Sequence, residues 1–196
     1  MSQSSVNHAP PRHNVHRGAF SIEMVVVLAV AAIAAIVVFS NSNGLFGKNE
    51  VNTAMANTQE LTVNARSMLK NGGVYNFNGA SDMTGLLVKF GGAPGSMKIN
   101  GSKDSGTATL INVWGGSVTL DPVSSSGGKT GFSVTQDKVP QSACTVMATQ
   151  MSPSFAQTSI NGSATVGAVS PSEVGSQCTA DSGSTGTNTL KFVSNT

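Results

Sequence analysis

The sequence lacks histidine after residue 16. Its three histidines are His8, His13 and His16, so a catalytic triad or a metal cluster built on histidine would have to use a polar N-terminal tail. The chain has only two cysteines, and a structural zinc site normally takes four cysteine or histidine ligands. The sequence therefore predicts no metal site and no cofactor.

Charged residues are also scarce. Asp, Glu, Lys and Arg make up 10% of the 196 residues, against about 25% in an ordinary soluble domain. The formal net charge of +2 is too small for a protein that binds nucleic acid through phosphate contacts. Few acidic residues follow residue 60, and they form no catalytic constellation: Asp82, Asp104, Asp121, Asp137, Glu173 and Asp181. Composition thus argues against an enzyme and against a nucleic-acid-binding protein.

One short motif invites a different interpretation. Gly128-Lys129-Thr130 matches the end of a phosphate-binding loop, but that loop requires glycine five residues earlier, where the chain has Val123. We predict a polar hairpin turn there. The 22 glycines and the abundant serine, threonine and asparagine are typical of an exported protein with many turns.

The longest apolar segment lies near the N-terminus. No charge occurs from Met24 to Phe39, and the 21 residues from Ala19 to Phe39 would form a helix of about 31 Å. This length matches the hydrocarbon core of a bilayer, roughly 30 Å thick. The segment predicts insertion into a membrane.

Three interpretations of this segment compete. It is typical of a secretory signal peptide, with Arg12 and Arg17 as the basic region and cleavage near Val38-Phe39-Ser40. It also suits an ordinary membrane anchor whose basic end stays in the cytoplasm. A third interpretation must explain why Glu23 stands at the start of the apolar run, five positions after Gly18.

The carboxylate of Glu23 needs a partner, because an acid inside a bilayer costs roughly 2.5–3.5 kcal/mol. Cleavage after Gly18 would give Ala19 a free α-amine four residues before Glu23 on the same helix. The amine could belong to the same subunit or to a neighbour. Removing one member of such a buried pair costs roughly 3–5 kcal/mol, so the pair would guide a new subunit to the correct depth.

This arrangement resembles the prepilin signature of type IV pilins. The resemblance is carried by a basic, polar leader that ends in Gly18, the apolar residue Ala19, Glu23 at the fifth position after cleavage, and the unbroken apolar run. It implies a prepilin peptidase that cuts between Gly18 and Ala19 on the cytoplasmic side and N-methylates Ala19. The 18-residue leader is similar to the long leaders of the type IVb class. Ala19 departs from the phenylalanine of the short-leader type IVa class, since Phe20 comes one place later.

A second helical pattern follows Gly44 and Gly47. Apolar or small residues recur there at steps of three and four, at Val51, Ala54, Met55, Thr58, Leu61, Ala65, Met68 and Leu69. Asn57, Glu60, Asn64 and Lys70 lie largely off this face. The pattern predicts one helix from near Phe20 to Asn71, ended by Gly72-Gly73. Gly44 and Gly47 either let the helix stretch or mark the membrane edge.

The rest of the chain predicts short elements. The predicted helices are Asp82–Phe90 behind a Ser81 cap, Val139–Ala148 with Pro140 in its first turn, and Ser170–Cys178 with Ser170 as its cap. The predicted strands are Lys98–Asn100, Ala108–Trp114, Gly116–Leu120, Gly131–Val134 and Leu190–Val193. The segment Ile111–Val118 resembles type IVb pilins, notably plasmid-encoded thin-pilus major pilins, and Trp114 within it is expected to pack in the core or on the sheet.

Two cysteines in an exported chain suggest one disulfide, and a free buried pair is the alternative. The resemblance to type IV pilins implies the first, because these proteins carry a bridge near the C-terminus that bounds a variable surface region. Cys144 and Cys178 match that layout.

The resemblance implies an α+β fold, in which a long N-terminal helix with an apolar first half packs on an antiparallel sheet and the C-terminal region is bounded by a disulfide. The chain would consist of a leader (1–18), a transmembrane and assembly helix (19–40), the amphipathic second half of the helix (41–71) and a globular head (72–196). Its implied function is that of the major subunit of a type IVb pilus serving conjugation or adhesion. The alternatives are a minor or tip pilin, a secretion pseudopilin, or a secreted soluble protein with a signal peptide.

The same resemblance implies where the protein acts and with which partners. The precursor would lie in the inner membrane of a Gram-negative bacterium, and the mature chain in an extracellular pilus. Its partners would be further copies in a helical filament, the prepilin peptidase, the inner-membrane assembly machinery, and a host or recipient cell surface.

Overall fold

The computed structural model describes residues 47–125 and 128–195, which belong to a unit beginning at Leu45. The predicted leader, the apolar segment 19–40 and Gly44 lie outside the described residues. Within the described ranges, no helix combines the length and hydropathy needed to cross a membrane.

The first described helix, α1, runs from Lys48 to Met68, and Gly47 precedes it as N-cap. Its buried face follows the predicted spacing: Val51, Ala54, Thr58, Leu61 and Ala65. The buried threonines are satisfied within the helix, since the hydroxyls of Thr58 and Thr62 donate to the carbonyls four residues earlier at 2.8 and 2.7 Å.

Two predictions about α1 are wrong. Asn57 is buried rather than off the face, because its Oδ1 accepts a hydrogen bond from Ser96 Oγ at 2.5 Å. Met68, the last residue of the helix, is 43% exposed rather than buried. The helix also ends three residues earlier than predicted. Asn71 and Val74 exchange two backbone hydrogen bonds across a tight turn, in which Gly72 and Gly73 have positive φ angles.

Seven antiparallel strands form one sheet in the order β1-β2-β3-β4-β7-β5-β6. Their bounds are β1 Lys98–Asn100, β2 Thr109–Ile111, β3 Ser117–Ser125, β4 Gly128–Val139, β5 Gln157–Ile160, β6 Ser163–Val166 and β7 Asn188–Asn195. The position of β7 between β4 and β5 joins the C-terminal segment to both halves of the sheet.

The structure changes the length and place of several predicted strands. β1 has the predicted bounds, β2 is shorter, and β3, β4 and β7 are longer. Gly128-Lys129-Thr130 is not itself a turn but opens β4, since the carbonyl of Lys129 accepts a hydrogen bond from the Tyr75 amide at 2.7 Å. This contact holds the segment extended, so no phosphate-binding loop is present there.

Three further helices pack with α1 and the sheet. They are α2 Ala80–Lys89, α3 Gln141–Met151 and α4 Pro171–Gln177. The predicted Ser81 cap is wrong. Gly79 precedes α2, and the side chain of Asp82 accepts a hydrogen bond from the Asn78 amide at 2.9 Å. Pro140 is the N-cap of α3 rather than a residue of its first turn.

The core consists of two clusters. One lies between α1, α3, α4 and the C-terminal strands, and in it the ring centroids of Phe155 and Phe192 are 5.0 Å apart. Trp114 packs against this cluster, as predicted. The other lies under α2, where Tyr75 and Phe132 meet edge to face at 5.0 Å. The predicted α+β fold with helices on an antiparallel sheet is confirmed.

Candidate functional site

The predicted site residues fall into two groups. Gly18, Ala19 and Glu23 lie outside the described residues. Cys144 and Cys178 are joined by a disulfide, with their Cα atoms 5.9 Å apart and a sequence separation of 34. Both cysteines are buried, so the predicted bridge is present and the free pair is excluded.

The bridge ties a core helix to a short surface helix. Cys144 lies in the first turn of α3, where its amide donates to the Pro140 carbonyl at 2.7 Å. Cys178 is the C-cap of α4, and its amide donates to Val174 O at 2.9 Å. Each cysteine is thus held by a helix end, and the bridge closes the region that contains β5, β6 and α4.

The start of α4 is stabilised by the predicted Ser170 cap. The Glu173 amide donates to Ser170 Oγ, and a carboxylate oxygen of Glu173 accepts from the Ser170 amide at 2.8 Å, which completes a capping box. The Ser170 hydroxyl and amide hold the pKa of Glu173 below its usual value. Since the folded-state pKa is lowered, this contribution to stability is present above the pKa of the unfolded chain. It is lost as the pH falls through the lowered value.

The start of α3 is capped from a distant part of the chain. Asp181 Oδ1 accepts a hydrogen bond from the Gln141 amide at 2.7 Å. The Gln141 side chain in turn donates to the Cys178 carbonyl at 3.2 Å. A carboxylate at a helix N-terminus is favourable because the first amides have no partner within the helix. Asp181 therefore fixes the segment after the disulfide to the helix that carries Cys144.

Asn188 joins three segments behind the bridge and is fully buried. Its amide nitrogen donates to the carbonyls of Val139 and Thr179 at 3.1 and 3.0 Å. Its oxygen accepts from the Thr179 amide at 2.7 Å and from Asn161 Nδ2 at 2.8 Å. One side chain thus satisfies backbone groups of β4 and of the segment after Cys178, and it also binds the side chain of Asn161 in the hairpin turn between β5 and β6.

Asn161 extends this network to the hairpin. It has a φ angle of 51°, and Gly162 after it has a φ of 89°, as required in the two-residue turn of a tight hairpin. Its side chain also donates to Gln177 O and accepts from the Thr189 amide, both at 2.8 Å. The turn between β5 and β6 is therefore fixed to both α4 and β7.

We expect Asn188→Ala to lower the free energy of unfolding by about 2–3 kcal/mol, because it leaves the buried Val139 carbonyl and two partly buried backbone groups of Thr179 without partners. Asn195→Ala, at an exposed position on the same strand, should change it by less than about 0.5 kcal/mol. Denaturant unfolding of the detergent-solubilised chain, followed by the fluorescence of the single tryptophan Trp114, measures both. Equal effects of the two substitutions would contradict the role given to Asn188.

The hairpin of β5 and β6 is the part of this region that the sequence prediction missed. Asn161-Gly162 between two short alternating segments is a recognised hairpin signal, so it could have been found. The roles of Asp181 and Asn188 carry no comparable local signal.

Four acidic residues of the described part accept hydrogen bonds within the fold: Asp82, Asp137, Glu173 and Asp181. Asp137, for example, accepts hydrogen bonds from the hydroxyls of Ser117 and Thr189 at 2.6 and 2.9 Å. Among residues 47–125 and 128–195, no three His, Cys, Asp or Glu side chains are grouped so as to hold a metal ion.

Known proteins are similar to this chain in sequence and in fold. The family model described as PilS N terminal matches residues 48–195. The crystal structure of a type IVb pilin from Salmonella typhi superimposes with a TM-score of 0.64 and 39% identity, covering 74% of this chain and 99% of that one. The chain belongs to the PilS family of type IVb pilins.

Two further solved pilin structures also resemble this fold. The NMR structure of the type IVb pilin PilS from Salmonella typhi matches with a TM-score of 0.53 and 39% identity, over 78% of this chain and all of that chain. TcpA, a type IV pilin of Vibrio cholerae El Tor, shares the fold at 14% identity, with a TM-score of 0.51 over 76% of this pilin and all of TcpA. The comparison with curated proteins found no significant match. The predicted type IVb family is confirmed, and the pilin is a structural subunit of an extracellular pilus rather than an enzyme.

Proposed function

We propose that this pilin is the major subunit of a type IVb pilus of a Gram-negative bacterium, made as an inner-membrane precursor. The precursor is cut between Gly18 and Ala19, methylated on Ala19 and polymerised through its N-terminal helix. The observation that carries the proposal is the order of two features along one chain. A type IVb pilin head occupies residues 48–195, and it is preceded by a basic segment ending in Gly18 and then by Ala19 and Glu23.

Assembly follows from the chemistry of the N-terminus. Cleavage removes the basic leader and creates the α-amine of Ala19, which the carboxylate of Glu23 in the same or a neighbouring subunit can neutralise. In an apolar surrounding, either charge alone costs more than the pair. The assembly machinery then moves the subunit out of the membrane, and the apolar segments 19–40 of successive copies bury one another in place of lipid.

The proposed role of the finished pilus is contact between cells, in conjugation or in adhesion. The disulfide-bounded region suits an exposed coat, because the bridge and the Asn188 network keep it folded in a medium without chaperones. Which cell surface it contacts depends on the side chains that the filament leaves exposed.

N-terminal sequencing and an intact mass of the protein from its native host test the processing step. We expect a chain that starts at methylated Ala19, with the mass two hydrogens short because of the disulfide. A chain that starts near Asn41 would show that the apolar run is removed as a signal peptide, and the polymerisation mechanism would then be wrong. Immunogold labelling along the whole filament, rather than only at its tip, is expected of a major subunit.

Replacing the carboxylate with an amide tests the charge pairing. We expect Glu23→Gln to be cleaved normally but to yield at least about tenfold fewer filaments, because an unpaired buried amine costs more than the 1.4 kcal/mol that corresponds to a factor of ten. Glu60→Gln, the same change at an exposed position of α1, should assemble like the native chain. Normal pili from Glu23→Gln would contradict the pairing, and filament yield by electron microscopy of sheared pili measures it.

A further inference from the structure

Strand β6 ends the sheet, and no other strand of the described residues lies on its outer side. Among those strands it pairs only with β5, and three of its four residues are exposed. Val166 is 81% exposed, the highest value among the exposed large apolar residues of the described chain. A sheet edge of this kind is a template for pairing with another strand.

The hairpin geometry shows which backbone groups are free. A two-residue turn is closed by a hydrogen-bonded pair, here Ile160 with Ser163, and such pairs alternate along antiparallel strands. The hydrogen bond from the Gly167 amide to the Ala156 carbonyl at 3.2 Å continues this alternation. The amides and carbonyls of Ala164 and Val166 therefore point away from β5.

The two ends of the sheet differ in their protection. Natural edge strands are usually guarded by lysine, proline or a bulge. The other edge, β1, carries Lys98 and is followed by the charged turn Lys103–Ser105. β6 has the sequence Ser-Ala-Thr-Val, without charge, proline or bulge. Among the described strands, β6 is thus the unguarded edge.

Hydrogen bonds within the subunit already fix the position of β6 in the absence of a partner strand. Thr165 Oγ1 donates to Glu173 of α4 at 3.2 Å, and the Asn161 side chain fixes the turn through its hydrogen bonds to Gln177, Asn188 and Thr189. A partner strand would therefore order little new backbone on binding, which lowers the entropic cost of association.

We propose that β6 pairs antiparallel with β6 of a second copy of this pilin in a neighbouring filament. With Ala164 opposite Val166 of the partner copy, two hydrogen-bonded pairs form, each small alanine side chain lies beside a valine, and no strand side chain brings a like charge. The proposal rests on the chain being a pilus subunit, and it goes beyond polymerisation itself.

Symmetry determines where this contact lies. Antiparallel pairing of a strand with its own copy requires a two-fold axis. Subunits added in one orientation to a growing filament are not related by such an axis, so the contact joins two filaments side by side. One short pairing is weak, but it repeats along both filaments, and the multivalent contact is strong.

Proline in place of Ala164 tests the edge. Ala164→Pro removes an outward N–H but none that bonds to β5, so the head should fold and filaments should form. We expect lateral bundles in electron micrographs of purified pili to fall by about tenfold or more, because every copy of the repeated contact is weakened. Ala164→Val keeps the amide and should bundle like the native chain.

Several outcomes would overturn the proposal. These are native pili that never associate laterally, bundles that persist in Ala164→Pro, and a folded, disulfide-bonded Ala164→Pro subunit that makes no filaments, since the edge would then be used within the filament. If Ala164→Pro does not fold, Val166→Lys replaces it, because a lysine guards the edge without changing the backbone.

A cysteine at residue 165, which lies on the proposed two-fold axis, gives an independent test of the pairing. In the proposed register Thr165 faces its own copy, so Thr165→Cys should form a disulfide-linked dimer of subunits in mildly oxidised native-length pili. Ser102→Cys, at an exposed residue that follows β1 at the opposite edge of the sheet, should not. Absence of the dimer from bundled Thr165→Cys pili would contradict this register and with it the proposed pairing.

Discussion

A bulky residue at position 18, as in Gly18→Val, should leave the precursor uncut and abolish the pilus. The resemblance to prepilins places the cleaved bond directly after Gly18, and a branched side chain there hinders the close approach of a peptidase to the backbone. Without cleavage, Ala19 has no free amine, so Glu23 keeps an unpaired carboxylate in the apolar run. The basic leader also stays attached to a segment that must leave the membrane.

The test of Gly18→Val is the size and the N-terminal residue of the membrane-bound chain, together with the filament yield. Gly18→Ala is the matched control, because alanine adds one methyl group, and its effect on cleavage should be smaller. Normal processing of Gly18→Val at Ala19 would show that the prepilin peptidase assignment is wrong. It would leave the membership in the pilin family untouched, since that rests on residues 48–195.

Removal of the disulfide has the largest expected effect on the stability of the head. The bridge joins residues 34 apart in sequence, and closing such a loop stabilises a fold by roughly 3–4 kcal/mol in the chain-entropy model. We expect Cys144→Ala combined with Cys178→Ala to lose about this amount. Alanine is preferred to serine because both sites are buried and an added hydroxyl would need a partner.

Reduction of the native chain supplies the control for this double substitution. Its free energy of unfolding should fall by a similar amount, and the difference between the two measures the lost sulfur packing. Denaturant unfolding followed by Trp114 fluorescence suits both, since Trp114 packs against the cluster that contains the cysteines. A loss below about 1 kcal/mol in both would show that the bridge contributes little, and that the Asn188 and Asp181 contacts alone hold the region.

Features of this pilin that depend on near neighbours in sequence were predictable. The buried face of α1 follows from apolar residues at helical spacing, and the Ser170 cap follows from Glu173 three residues later. The two exceptions have different causes, one distant in sequence and one local. Asn57 is buried because a distant serine supplies a partner, and Ser81 is no cap because Asp82 holds the preceding loop.

The sequence by itself thus predicted most of the helical face, five of the seven described strands at low resolution and the pilin family, and the resemblance to that family implied the bridge between Cys144 and Cys178. Only the tertiary structure decided the contacts that hold the disulfide-bounded region, because their partners are far apart along the chain. Asn188 reaches a carbonyl 49 residues away, and Asp181 caps a helix that begins 40 residues earlier. The free edge of β6 was likewise decided only by the tertiary structure. A strand becomes an edge through the order in which the chain places β7 between β4 and β5, and no periodicity within β6 encodes that order.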